Sequence, residues 1–486
     1  MSSLKHDRKV LLIHLLLSLW LSVFAFLCRT LSPEYGLGLA SVTFTVSAVW
    51  VIGSWKISGR KWMTPYAIFL LAALAFNGGQ ILLYTFDRDY DMLQKRVSVE
   101  TLVTTVLVVT GSIMFLHLGA LLVPHTKLKS TRTVEGARIG ERYVSLSLLV
   151  ISFVPSVLTF GRAVKSIATK GYMAGLYQGD VSFGADNAAA LIAQFLLPAV
   201  FLLVASHRNS RLVRRVSVLL VVLYAVTYLF IGVRSAAMMS LLGFAWLWEF
   251  HVAKLPRHFL LGTTAGILFL LPCIAALRNA DTQGRTTLAE DAVSGVMSSP
   301  VHALLGETGN SMLTVAHTID LYPSARSYDT GASYGYALLT ILPNVFGTEL
   351  HPSVAHGRLA DWLVETIDPT IAAIGGGYGY SFIAEAYANF GITGVLGFSL
   401  LLGLLLQGLY SWTCAYPAAH RVAFTASVLS MILIYVRGES GSIVRGLIWY
   451  GVLPYTAIHL TERVIPYLRQ TVGVLPIYQS LPRVSD

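Results

Sequence analysis

Charge is scarce in this chain. Asp, Glu, Lys and Arg make up 12% of its residues and apolar types 55%, with a mean hydropathy of +0.65, a balance that excludes both a soluble multi-domain protein and a disordered one. Cysteine is scarcer: Cys28, Cys273 and Cys414 stand far apart, so no disulfide framework or cysteine zinc site is suggested. Walker A, dinucleotide-fingerprint and serine-hydrolase-elbow patterns are missing, as are internal repeats and low-complexity tracts. The histidines His302, His317, His351 and His356 lack an HExxH-like spacing, and no metal or cofactor is expected.

What the chain has in abundance is apolar runs near the ~20 residues that cross a bilayer. About twelve are read, at 10–28, 37–55, 65–86, 101–123, 144–160, 188–205, 216–232, 236–250, 259–277, 383–410, 422–435 and 443–460. The fold class is therefore an all-α polytopic membrane protein. The first run follows a basic start without a convincing cleavage pattern and is read as a retained helix.

The formal net charge of +10 gathers in alternate short connections: Lys5/Arg8/Lys9, Lys56/Arg60/Lys61, Lys127 to Arg142, and Arg208/Arg211/Arg214/Arg215. Topology and anionic headgroups account for such clusters, so nucleic acid is not expected as a partner, whereas membrane lipids are. The positive-inside rule puts both termini in the cytoplasm. Four regions follow: a transmembrane bundle over 1–277, a large outer loop with amphipathic helices over 278–380, further membrane helices over 381–460, and a cytoplasmic tail over 461–486.

The outer loop is where chemistry is expected. From Arg278 to Ile374 it holds ten acidic and four basic residues, unlike the basic inner loops. Residues 304–321 read as a helix with a polar stripe of Glu307, Asn310, Ser311, Thr314 and His317. Residues 357–367 read as an amphipathic helix lying on the bilayer, with Arg358, Asp361 and Glu365 opposite Leu359, Trp362, Leu363 and Ile367. The stretch 332–346 is too short and too interrupted by Pro343 to span, which leaves re-entry into the membrane or capping of a site. A second outer loop, 161–187, carries Arg162, Lys165, Lys170, Tyr172 and Tyr177.

At the mouth of the span that follows, Ser381, Glu385 and Asn389 recur at i, i+4 and i+8 and share a face, with Ala384, Ala388 and Gly391 leaving room for a neighbouring helix. A carboxylate at membrane depth costs about 2.5–3.5 kcal/mol on insertion scales, so Glu385 requires a partner or a water-filled cavity. Arg234, Arg278, Arg437 and Arg445 all fall on the outer side, where their guanidiniums form a ring of charge suited to bidentate phosphate binding. The carboxylate cluster Asp87, Asp89, Asp91 reads as a solvated turn.

The run Gly377-Tyr378-Gly379-Tyr380-Ser381-Phe382-Ile383-Ala384-Glu385-Ala386-Tyr387, then Asn389-Phe390-Gly391 and Gly394, resembles the oligosaccharide repeat-unit polymerases, the O-antigen (Wzy-type) polymerase family. Gly232-Val233-Arg234, Glu307-Thr308-Gly309 and Arg437-Gly438 follow that family's order. The resemblance covers chiefly the C-terminal half. It implies a GT-C-like glycosyltransferase of the bacterial inner membrane, in lipopolysaccharide or capsule biosynthesis. Such an enzyme moves an undecaprenyl-diphosphate-linked glycan chain onto a lipid-linked repeat unit at the periplasmic face, with inversion and without metal. It also implies a chain-length regulator as partner. Under that implication Arg234, Arg278, Arg437 and Arg445 hold the diphosphate, and Glu385, Glu307 and His302 compete as general base. Tyr378, Tyr380, Tyr336 and Asn389 offer glycan contacts. The alternatives are an O-antigen ligase and a lipid-linked oligosaccharide flippase; the one-sided gathering of polar residues and the absence of repeat symmetry weigh against a transporter.

Overall fold

The computed structural model describes residues 2–126, 138–170, 185–231, 233–270, 272–273, 294–344, 351 and 355–472. All secondary structure among them is helical. A bilayer offers no water to stray backbone groups, so a chain this apolar satisfies them within helices.

Nine helices among the described residues are long and apolar enough to cross a membrane: Lys9–Thr30, Pro33–Ile57, Pro65–Phe86, Val99–Leu122, Ile139–Thr169, Asn187–Ser206, Arg211–Ile231, Phe382–Ala415 and Ala419–Arg437. The sequence reading has about twelve. The difference has a physical cause. Each of the three remaining stretches contains a π-helical turn: Trp248–Val252 ends the first, Gly266–Leu270 follows the short helix Arg257–Ala265 in the second, and Leu447–Val452 separates Ser440–Gly446 from Leu453–Val472 in the third. The last, Leu453–Val472, also runs past the expected end of the final span at 460.

Val99–Leu122 is the most enclosed span, and Phe382–Ala415 lies directly along it. The close approach is made at two glycines: a Cβ on Gly119 would collide with the Leu400 carbonyl, and one on Gly403 with the Leu116 carbonyl. Small residues let helix backbones approach in this way where no hydrophobic force separates protein from lipid. By contrast, Lys9–Thr30, Ile139–Thr169 and Arg211–Ile231 keep most of their apolar surface exposed, as lipid-facing helices do.

The loop region folds onto one end of the bundle: Gln80 and Thr101 bond Asn310 and Asp320 there, whereas the basic connection at Arg60 bonds the Ala120 carbonyl at the far end of Val99–Leu122. The expected helix over 304–321 is two, Pro300–Gly309 and Met312–Leu321, joined through a tighter turn in which Asn310 and Ser311 bond three residues back. Leu359–Ile367 forms as expected, but its apolar face does not lie on the bilayer. Leu359 and Leu363 are buried in the protein core, and the helix packs on Met312–Leu321. Only a short helix, Ala332–Leu339, forms in the stretch before Pro343.

Candidate active site

Phe382–Ala415 begins with Ser381 as its cap, the hydroxyl accepting from the Ile383 amide at 3.2 Å and donating to Asn77 Oδ1 at 2.8 Å. Two turns on, the helix breaks. Phe390 and Gly391 leave helical geometry, Gly391 at φ 63° and ψ −150°, a region open almost only to glycine. The break frees the carbonyls of Ala388 and Asn389, which accept from the amides of Asp329 and Thr330 at 2.9 and 3.1 Å. Asn389 completes the joint, accepting from Gly331 N at 2.8 Å and donating to Ser333 Oγ at 2.7 Å. The loop at 329–333 is thus fastened to the first, broken-off turns of a membrane span.

Glu385 is fully buried within that joint. Oε1 accepts from Ser333 Oγ at 2.9 Å and Ser440 Oγ at 2.5 Å, and Oε2 from Tyr435 OH and Ser440 N, both at 2.8 Å. An ionised carboxylate has about four acceptor sites, and four donors fill them. The partner that its cost demands is therefore this set of hydroxyls and an amide from three segments.

Beside it lies a cavity of about 700 Å³. Its walls come from the 326–340 segment, the 356–362 segment, Met431 and Ile434, residues 439–450, and Leu191 with Gln194. Three guanidiniums line it. Arg326 binds Asp329 Oδ1 through Nη2 at 3.0 Å and sits 4.6 Å over Trp362. Arg358 grips Asp361 through two bonds of 2.9 Å. Arg445 donates Nε to the Thr340 carbonyl at 2.7 Å and, among the described residues, has no carboxylate partner. Tyr336 and His356 stack with centroids 3.5 Å apart, giving a flat aromatic wall.

Glu439 is, with Asp329, a carboxylate of this lining. It caps Leu359–Ile367 from outside, Oε2 accepting from Leu359 N at 2.8 Å. Burial, and then the Glu385 charge, push its carboxyl up to about 7, against the pull of that amide and of Arg358. A carboxylate poised near neutrality in a cavity with arginines has the profile of a general base.

The other residues singled out in the sequence are dispersed. Arg234 and Glu307 meet each other, Nη2 to Oε1 at 2.7 Å, but neither lines the cavity. His302 is exposed, its ring edge-on to Tyr90. Arg437 is exposed over Gly379, outside the cavity. Tyr378 joins Asp368 and Arg96, at 2.6 and 3.1 Å. Tyr380 is buried against Thr318, with no face open to a glycan. Of the named residues, Arg445 and Tyr336 line the cavity, and Glu385 and Asn389 brace its wall. Arg278, Lys127, Tyr172 and Tyr177 lie outside the described residues. Sequence reasoning did not assign Glu439, Arg326, Arg358 or His356 to a site. The signal for Glu439 was a carboxylate between two glycines, flanked by Arg437 and Arg445 in a turn between apolar runs. Among the described residues no three His, Cys, Asp or Glu side chains gather as a metal ligand set.

Fold and site together define a polytopic helical membrane protein with an arginine-lined polar chamber at the end away from its basic connections. The chain belongs to the O-antigen polysaccharide polymerase Wzy family, whose model matches residues 13–466. Comparison with curated proteins and with solved structures gave no match. Family membership makes it an inner-membrane enzyme of polysaccharide polymerisation that works on lipid-linked oligosaccharides.

Proposed function

We propose that the chamber is the polymerisation site and that it faces the periplasm, as the basic connections at the other end support. Arg445 receives the diphosphate of an undecaprenyl-linked glycan chain. A hydroxyl at the non-reducing end of a lipid-linked repeat unit attacks the anomeric carbon of that chain. The new C–O bond forms as the bond to the diphosphate oxygen breaks, with inversion. Glu439 takes the hydroxyl proton, and undecaprenyl diphosphate leaves with the electron pair.

The observation that carries this reading is that one cavity is lined both by Arg445, without a carboxylate partner among the described residues, and by Glu439, held near neutrality. A preorganised donor at developing negative charge is worth about 10²–10³ in rate, and a positioned base about 10²–10⁴. Arg326 and Arg358, already paired with Asp329 and Asp361, flank the acceptor with Trp362 and the Tyr336–His356 stack as sugar-facing surfaces. Guanidiniums supply the positive charge, so the step asks for no metal. The three stretches that contain π turns complete twelve crossings in this reading, arranged in a GT-C-like way, and a length-regulating protein would act from outside the chamber.

The test is reconstitution in liposomes with lipid-linked repeat units and EDTA, with products separated by size. A ladder that persists in EDTA and vanishes in folded Glu439→Gln is the expected result. A ladder of unchanged rate in that variant would remove Glu439 from the chemistry.

A further inference from the structure

The short helix Ala332–Leu339 has two unlike faces. Ser333, Tyr336, Ala337 and Thr340 line the chamber, while Leu338, Leu339 and Leu342 are 60%, 57% and 73% exposed on the other side. Three large aliphatic side chains in a row on a loop at a protein surface would be an ordinary apolar patch. The backbone behind them is not ordinary.

Four carbonyls between Thr340 and Asn344, past the helix end, are met by side chains from elsewhere. Thr340 O accepts from Arg445 Nε at 2.7 Å and Ile341 O from Trp449 Nε1 at 2.9 Å. Leu342 O accepts from His351 Nε2 at 2.7 Å, and Asn344 O from Asn187 Nδ2 at 3.3 Å. Carbonyls at and beyond a helix end have no partner in the helix itself, and at an aqueous surface water supplies one. Side-chain donors from four separate positions are what such carbonyls need in hydrocarbon, where an unmet polar group costs several kcal/mol and irregular backbone survives only with partners in the protein. Two of the four, Arg445 and Trp449, stand on one continuous helical stretch, Ser440 to Val452, within an apolar run read from the sequence as a span.

We propose that residues 332–344 form the membrane-embedded side wall of the chamber, and that the isoprenoid tail of the lipid-linked substrate lies along Leu338, Leu339 and Leu342. The charge arrangement selects that occupant. An amphiphile seated with its tail on this leucine row has its anionic head at the opposite face of the same helix, where Arg445 holds the Thr340 carbonyl and, among the described residues, has no carboxylate partner. The identity of the lipid rests on the polymerase reading above; the depth of the segment does not.

The experiment places a nitroxide at Leu338→Cys and Leu342→Cys in the full chain, with Cys273→Ser, reconstituted in liposomes. Glu365→Cys, on the exposed side of Leu359–Ile367, serves as the aqueous reference. Relaxation by oxygen should dominate at 338 and 342 and relaxation by a water-soluble nickel chelate at 365. Adding undecaprenyl diphosphate should slow the labels at 338 and 342, while the same mole fraction of extra phospholipid leaves them unchanged. Nickel accessibility at 338 and 342 equal to that at 365 overturns the embedded wall. Labels that face lipid but ignore undecaprenyl diphosphate overturn the tail site. Polymerisation is assayed on the same proteins, with Arg445→Ala as a fourth sample. A negative spin-label result with polymer formation still dependent on Arg445 refutes the tail site alone, whereas polymer formation indifferent to Arg445 refutes the polymerase reading of the chamber.

Discussion

Ser440 gives both its amide and its hydroxyl to the carboxylate of Glu385, at 2.8 and 2.5 Å, and so ties the start of Ser440–Gly446 to the broken first turns of Phe382–Ala415. The residue before Ser440 is Glu439. The buried carboxylate thus fixes the backbone that presents the chamber carboxylate, and its charge acts on Glu439 directly. Arg358 and the Leu359 amide act on Glu439 from the other side, and Tyr380 also lies within electrostatic reach.

The rate of polymerisation should therefore rise with pH with a midpoint near 7, as Glu439 loses its proton. In Glu385→Gln the neighbouring negative charge is gone, and the midpoint should move to lower pH. A loss of packing alone would lower the rate at every pH without moving the midpoint. The measurement is the pH–rate profile of both proteins.

Glu385→Gln should also be less stable. Its amide has one acceptor oxygen where the carboxylate has two, and its NH2 group faces donors; each buried donor left unmet costs about 1–3 kcal/mol. Thermal unfolding in detergent should show a fall of several degrees, and Glu385→Ala a larger one.

Glu439→Gln should move stability the other way in one pH range. A carboxyl raised in the folded state to about 7 contributes stability below its unfolded value, and that contribution is lost as pH rises through 7. By ~1.4 kcal/mol per pKa unit, ionised Glu439 costs up to about 3 kcal/mol at alkaline pH. The Gln variant should unfold at higher temperature than the unmutated protein at pH 8 and lose that advantage at pH 5. Equal differences at both pH values would contradict the assignment.

Gly391→Ala should destabilise by about 1–3 kcal/mol, the cost of a residue with a Cβ at φ 63° and ψ −150°. The added methyl also faces the Tyr328 hydroxyl at 3.2 Å. Because the kink carries the 329–333 loop, the variant should lose rate through a displaced chamber wall, with the pH midpoint unchanged.

Much of this architecture was legible from periodicity and cost. Apolar run lengths located the nine long apolar helices found among the described residues, and the expense of an acidic side chain at membrane depth picked out Glu385 as a residue with necessary partners. Its partners were not legible. Ser333, Tyr435 and Ser440 lie 50 residues or more away and bear no pattern that links them to position 385. Gly391 reads as another small residue on a helix face, because a glycine in an apolar run looks the same whether it admits a neighbour or breaks the helix. The chamber was hidden for a similar reason: its arginines come from separate segments. Arg358 reads as the polar face of a bilayer-lying helix until the buried Leu359 and Leu363 show that the other face is covered by protein.

The central claim is that chemistry occurs in the chamber behind Ala332–Leu339, and the most direct measurement compares two arginines eight residues apart. Chain elongation from lipid-linked repeat units in liposomes should fall about 10²- to 10³-fold in Arg445→Ala, which removes the one chamber guanidinium assigned to the diphosphate. It should stay close to the unmutated rate in Arg437→Ala, whose side chain is exposed outside the chamber. Elongation that survives the loss of Arg445 and fails with the loss of Arg437 would contradict the account.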